Sequence, residues 1–198
     1  MLQLNEAVAL EAADLRCRVA DEDLAAALAS AEKRLRSLNR ALLDEATGIF
    51  LAEGTALTAL GESTDSRLGL WRSQKDARAS HAELGSAFAL EVPRPLAMSA
   101  VAMRVVHSSQ DSFSQPGDNF LALGGVLTIE TLALPAAPKT VKNWLVRAAP
   151  AAPVVLPYQM ANIIQVTYQL PDSMLMPPPP LKVGWWDAQA SMQISHLK

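Results

Sequence analysis

All 13 prolines of this 198-residue chain lie at or beyond Pro93. A proline inside a helix costs roughly 3 kcal/mol. Residues 1–92 are therefore free to run as helix, while the remainder is punctuated. Charge divides near the same place. Residues 1–64 carry eleven acids against six bases, and residues 65–198 carry nine acids against eleven bases.

The first part is rich in Ala and Leu, both strong helix formers. Leu24, Leu28, Ala31, Leu35, Leu38, Leu42, Glu45 and Ile49 are spaced alternately 4 and 3 apart. That is a coiled-coil pattern with one polar exception, Glu45. Leu15 and Val19 fall out of this phase, which predicts a stutter or break near Asp21-Glu22-Asp23. Gly48, Gly54 and Gly61 weaken helix propensity further on. A helix over residues 21–60 would be about 60 Å long. It cannot bury its stripe on itself, so Leu24, Leu28, Leu35, Leu38, Leu42 and Ile49 are expected to meet a partner helix or a long groove. An ordinary antiparallel helical hairpin would carry the same alanine-rich pattern.

Residues 63–95 read as a linker. Ser63-Thr64-Asp65-Ser66 suits a turn and helix cap. Leu68, Leu70, Trp71, Leu84, Phe88 and Leu90 predict one or two short helices, closed by Pro93 and Pro95. From Leu96 the period changes to 2. Strands are expected in the second half of 97–107 and in 124–134, 140–147, 163–170 and 181–186, between Pro, Gly, Asp and Asn clusters. In the second of these, Val126, Thr128 and Glu130 oppose Leu127, Ile129 and Thr131. Pro177–Pro180 favours extended polyproline II. The expected fold class is α+β: a long coiled-coil-like helical arm over residues 1–62, then a small antiparallel β-sandwich-like module over residues 96–198. Five or so strands make a small sandwich. We therefore expect a longer protein, or strands completed by a neighbour.

Composition removes several function classes. With 50% hydrophobic residues the chain is not disordered as a whole. A net charge of −3 argues against sequence-independent nucleic-acid binding. Cys17 is the one cysteine, which excludes a disulfide framework. No stretch of 18 apolar residues offers a membrane span. The first residues carry acids where a signal peptide would have a basic start. These features together predict a soluble intracellular protein with neither nucleic-acid nor membrane partners.

The residues offer little chemistry. His81, His107 and His196 sit in no recognisable motif, and His107 reads as a surface or loop histidine. No histidine pair has metal-ligand spacing, and Asp21-Glu22-Asp23 reads as a solvated first helical turn. Gly124-Gly125 precedes a strand, not a helix, so it marks a turn or bulge and not a phosphate cradle. Glu130 reads as a solvent-facing carboxylate on a sheet. We expect no catalytic residue, no cofactor and no metal. The tryptophans are more suggestive. Trp185 and Trp186, adjacent on a strand, point to opposite faces, so one can anchor a core while the other is covered by this chain or by a partner.

Three segments, GGVLTIETLALPAAPKTVKNWLVR (124–147), IIQVTYQLPDSM (163–174) and LKVGWWDAQASM (181–192), share a pattern. A Gly-Gly-led strand is followed by L-P-x-x-P-K, a Trp strand, a strand ending in Leu-Pro, and a Trp-Asp pair. The pattern resembles the cancer susceptibility candidate 1 family of axonemal proteins, intermediate-chain-like subunits associated with inner-arm dynein in motile cilia. It covers about 70 residues of the β part and does not reach the helical arm. The resemblance implies a non-enzymatic scaffold that tethers a motor complex in the cilium or flagellum axoneme. Its partners would be dynein intermediate or heavy chains, other axonemal proteins or tubulin, met through the arm and through Trp144, Trp185 or Trp186. Two alternatives stand beside it. One is an adaptor of a non-ciliary assembly. The other is a small enzyme whose residues converge only in three dimensions, with His107, Ser108 and Glu130 as its candidates.

Overall fold

Asp21 divides the helical region. Helix α1 (Leu2–Arg18) ends before it and helix α2 (Glu22–Glu53) starts after it. Its Oδ1 accepts the backbone N–H groups of Asp23 at 2.9 Å and Leu24 at 3.1 Å. This satisfies two of the donors that a helix start leaves unpaired. Glu22 and Asp23 then suit the positive end of the helix dipole. The break falls where the leucine phase changes. α2 passes through Gly48 but stops at Glu53, short of the expected residue 60. The next residue in sequence is Gly54, the residue type favoured just past a helix end.

The computed structural model describes residues 2–53, 56–63, 65–76, 78, 80–109, 124–135, 139–142, 144–146, 163–169, 182–185 and 193–196. Within these, α1 and α2 lie antiparallel. Asn5 donates to Asn39 at 3.1 Å, and Arg16 pairs with Glu32 at 3.1 Å. The long helix is thus one limb of a helical hairpin.

The strands form two small antiparallel sheets, so the fold is α+β. The first sheet contains β1 (Thr58–Glu62), β2 (Ser66–Arg72), β5 (Val101–Ser108) and β6 (Val126–Ala133), in the order β1-β2-β5-β6. The second contains β3 (His81–Leu84), β4 (Phe88–Glu91) and β9 (Gln165–Tyr168), in the order β3-β4-β9. Two further pairs are separate hairpins: β7 (Lys139–Val141) with β8 (Trp144–Val146), and β10 (Lys182–Trp185) with β11 (Gln193–His196). A single turn, α3 (Arg94–Ala97), follows Pro93.

β5 is covered on both faces, which explains its near-continuous apolar run. Its odd positions, Val101, Met103 and Val105, join Trp71 of β2 and Leu84, Phe88 and Leu90 of the second sheet in one core. Val166 and Tyr168 of β9 pack against that core. Its even positions face α2, where Ala102 joins Leu51 and Leu132 in a smaller cluster.

Several expectations need correction. Residues 63–95 are not a linker with short helices; they hold β2, β3, β4 and the one-turn α3. β1 also begins inside the region assigned to the helical arm. Leu68 and Leu70 alternate with Arg67, Gly69 and Trp71, while Ala82/Leu84 and Phe88/Leu90 repeat at period 2. Gly85, at φ 61, makes the turn between β3 and β4. Burial against a second sheet outweighs the helix propensity of these Ala- and Leu-rich segments. The segment 140–147 is not one strand. It turns back at Lys142, where φ is 49, placing Val141 opposite Trp144. β11 was not anticipated. Pro177–Pro180 lies outside the described residues.

Gly69 lets the two sheets approach. A Cβ there would stand 2.7 Å from Leu84 Cδ1 and 3.0 Å from Phe88 Cδ2. Gly69→Val is expected to cost about 1–3 kcal/mol by overpacking. Urea unfolding checks this, and a midpoint equal to that of the unmodified chain would contradict the packing.

Candidate interaction surface

The heptad stripe splits along its length. Leu28, Leu35 and Leu42 are half-buried, whereas Ala31 and Glu45 are exposed and Leu24, Leu38 and Ile49 are each about half exposed. At 3.6 residues per turn, Leu24, Ala31, Leu38 and Ile49 fall within about 40° of one another. They lie roughly opposite Asp44, Thr47 and Leu51, which meet the first sheet. On α1, buried Asn5, Glu6 and Ala12 contrast with exposed Leu4, Val8 and Leu15, while Leu10, also exposed, lies about 40° from Glu6 around the helix. Glu6 turns to the sheet, its carboxylate oxygens 3.0 Å from the Ser63 hydroxyl. Leu4, Val8 and Leu15 lie about 180° from it around the helix. Both exposed rows therefore occupy the outer side of the hairpin, away from the sheet. The Asn5–Asn39 and Arg16–Glu32 contacts bring Val8 level with Leu38 and Leu15 level with Ala31. The result is an apolar strip spanning both helices, about 38 Å long from Leu24 to Ile49.

At the inner edge of the hairpin, Leu42, Leu43 and Ala46 face Gly61, Leu68 and Val106 across an apolar cleft of about 230 Å³. Trp144 is 77% exposed at the tip of the β7–β8 hairpin, beside exposed Val141. Trp185 belongs to β10, and Trp186 lies outside the described residues.

The hairpin is held on the sheet by a buried cation. Arg104, 3% exposed in mid-β5, donates through Nη1 to Asp44 at 2.6 Å and through Nε to Glu130 at 2.7 Å. Thr47 Oγ1 lies 3.3 Å away, and Arg40 of α2 reaches Glu130 at 3.2 Å. Burial works against the guanidinium charge, but the hydrogen bonds and charges of Asp44 and Glu130 outweigh it and hold its pKa above the ordinary value. Glu130 is therefore no solvent-facing carboxylate; its side chain is largely covered between Arg104 and Arg40. The signal for this contact was in the sequence: a lone arginine in the apolar run VAMRVV needs a buried carboxylate.

His107 also needs correction. It is 2% exposed and not a surface or loop residue. Nε2 lies 2.9 Å from the Gly124 carbonyl, and Nδ1 lies 3.0 Å from the Tyr168 hydroxyl. The neutral ring with its proton on Nε2 satisfies both partners. The three enzyme candidates do not converge. Strand alternation puts His107 on the core side of the first sheet, whereas Ser108 and Glu130 share the side of Arg104. Among the described residues, no group of three or more His, Cys, Asp or Glu stands together as a metal site. None of the described helices is long and apolar enough to cross a membrane.

No protein-family model matches this chain, and neither does any curated protein.

Two outcomes follow from the buried polar groups. Arg104→Met removes the cation shared by Asp44, which is half exposed, and Glu130, which keeps Arg40, and is expected to cost about 1–3 kcal/mol. Urea unfolding reads this as a lower midpoint at unchanged slope; an unshifted midpoint would show that the clamp contributes nothing. For His107, burial lowers the pKa, the Gly124 carbonyl opposes that, and the Arg67 charge lowers it again, leaving it below the ordinary 6.5. As pH falls, the unfolded chain takes the proton first. Stability is therefore full above about pH 6.5 and declines down through the folded value. Calorimetry across that range should show the decline, and His107→Gln should flatten it. An equally steep decline in that variant would place the titrating group elsewhere.

Proposed function

We propose that this chain is a non-enzymatic adaptor subunit of an axonemal inner-arm dynein complex in motile cilia or flagella, tethering the motor assembly to its neighbours. The observation that carries the reading is the outer apolar face of the helical hairpin. Each half-exposed leucine there gains on the order of 1 kcal/mol when covered, and a contiguous strip of this length is the mark of a contact surface. The resemblance in 124–147, 163–174 and 181–192 supplies the axonemal assignment. In this reading α2 docks in coiled-coil fashion along a partner helix. The two sheets, which share one core, form a small sandwich-like module. Trp144, projecting from its hairpin, makes a second contact with an axonemal neighbour such as a dynein chain or tubulin.

Because Leu24 and Leu38 are each about half exposed, the double variant Leu24→Asp/Leu38→Asp is expected to remain folded with a stability loss of about 1–2 kcal/mol. Expressed as a tagged chain in ciliated cells, it should lose co-purification with dynein subunits and lose the axonemal signal. Recovery of both at the level of the unmodified chain would overturn the reading.

A further inference from the structure

We infer that the outer face of the α1–α2 hairpin binds a second copy of this chain, with the two α2 helices antiparallel across a two-fold axis. The inference rests on reading this face as a docking surface and names its occupant.

The heptad positions give the register. In an antiparallel pair each residue of one row meets a residue of the other row. Setting Ile49 against Ala31 of the second copy places a large side chain opposite a small one and brings the two Leu38 side chains within about 6 Å of each other along the axis. The same register brings Glu45, the one polar residue of the stripe, beside Arg34 of the second copy. Within one chain Glu45 and Arg34 are both exposed, and neither makes an ion pair among the described residues. They lie on the same flank of α2, within about 20° of each other around the helix and on either side of Leu38. A two-fold axis near residues 39–40 therefore forms the Glu45–Arg34 pair twice. An unrelated helix would have to supply this charge pattern by coincidence, whereas a second copy supplies it by symmetry.

Leu4, Val8, Leu15, Leu38 and Ile49 together leave on the order of 450 Å² of apolar surface open per copy, or about 900 Å² from two, and the flanking polar residues bring the total to the size of a small specific interface. The strip is also apolar at its centre with Glu45, Arg34 and Glu11 along its edges, the arrangement of a contact surface with a polar rim.

The test is sedimentation equilibrium of the full 198-residue chain, alone and at increasing concentration. A concentration-dependent dimer is expected. Glu45→Arg and Arg34→Glu should each weaken it at least tenfold by opposing like charges, and the two together in one chain should restore it. These exposed substitutions should leave circular dichroism and the unfolding midpoint unchanged, which separates lost association from lost folding. A chain that stays monomeric, or a dimer insensitive to either reversal, overturns the inference. If the monomeric chain also depends on Leu24 and Leu38 for dynein co-purification, the docking reading stands and only its occupant is wrong. If a charge-sensitive dimer forms while Leu24→Asp/Leu38→Asp still co-purifies fully, the self-association stands and the docking reading falls.

Discussion

One guanidinium fixes how the two halves of this protein sit together. Arg104 is buried in the central part of β5, and its charge is met from two directions: Asp44 comes from α2 and Glu130 from β6. A buried charge without partners costs several kcal/mol, so the helix cannot roll or slide on the sheet without uncovering it. Leu51 against Ala102 and Leu132 adds apolar contact one turn further along. Directional ion pairs set the orientation of α2, and the small apolar cluster adds area. Because that orientation is fixed, the opposite side of α2 must face away from the sheet.

The exposed strip is thus a consequence of the clamp and not an independent feature. A helix with apolar residues at both heptad rows can cover only what its neighbours reach. Here the neighbours are the sheet, through Asp44, Thr47 and Leu51, and α1, through Glu32 and Asn39. The contact with α1 includes two polar pairs, Asn5–Asn39 and Arg16–Glu32. It leaves Leu28 and Leu35 half-covered and Leu24 and Leu38 outside. α1 repeats the pattern, burying Asn5 and Glu6 and exposing Leu4, Val8 and Leu15. A hairpin that buries polar residues and exposes apolar ones departs from the usual amphipathic arrangement, and it is this inversion that supports a role in assembly.

The regions differ in how far sequence reasoning reached. The break at Asp21 was readable because both the phase change and the capping residue are local. Strands β5, β6 and β9 were readable from alternation between Pro and Gly punctuation. Residues 66–91 were not, because Leu68, Leu70, Trp71, Leu84, Phe88 and Leu90 fit a short helix about as well as a strand when taken singly. Only their burial against the opposite sheet decides for the strand. His107 was misjudged for a related reason. Its partner Tyr168 is 61 residues away in sequence, and no motif announces such a contact. Glu130 was placed on the wrong side of water because its covering residue, Arg40, belongs to a helix 90 residues earlier.

What the sequence determined by itself is a set of periods: helix through roughly the first sixty residues, alternating strands beyond Leu96, and a stripe of leucines in heptad phase. Periods are local, set by which residues recur every turn or every second position. What the tertiary structure decided is which side of each element is covered: β5 on both faces, α2 along the line of Asp44, Thr47 and Leu51, and the outer row of Leu24, Leu38 and Ile49 left open. That choice depends on register between segments far apart in the chain, where a buried charge seeking its counter-ions outweighs the preference of any leucine row for the interior.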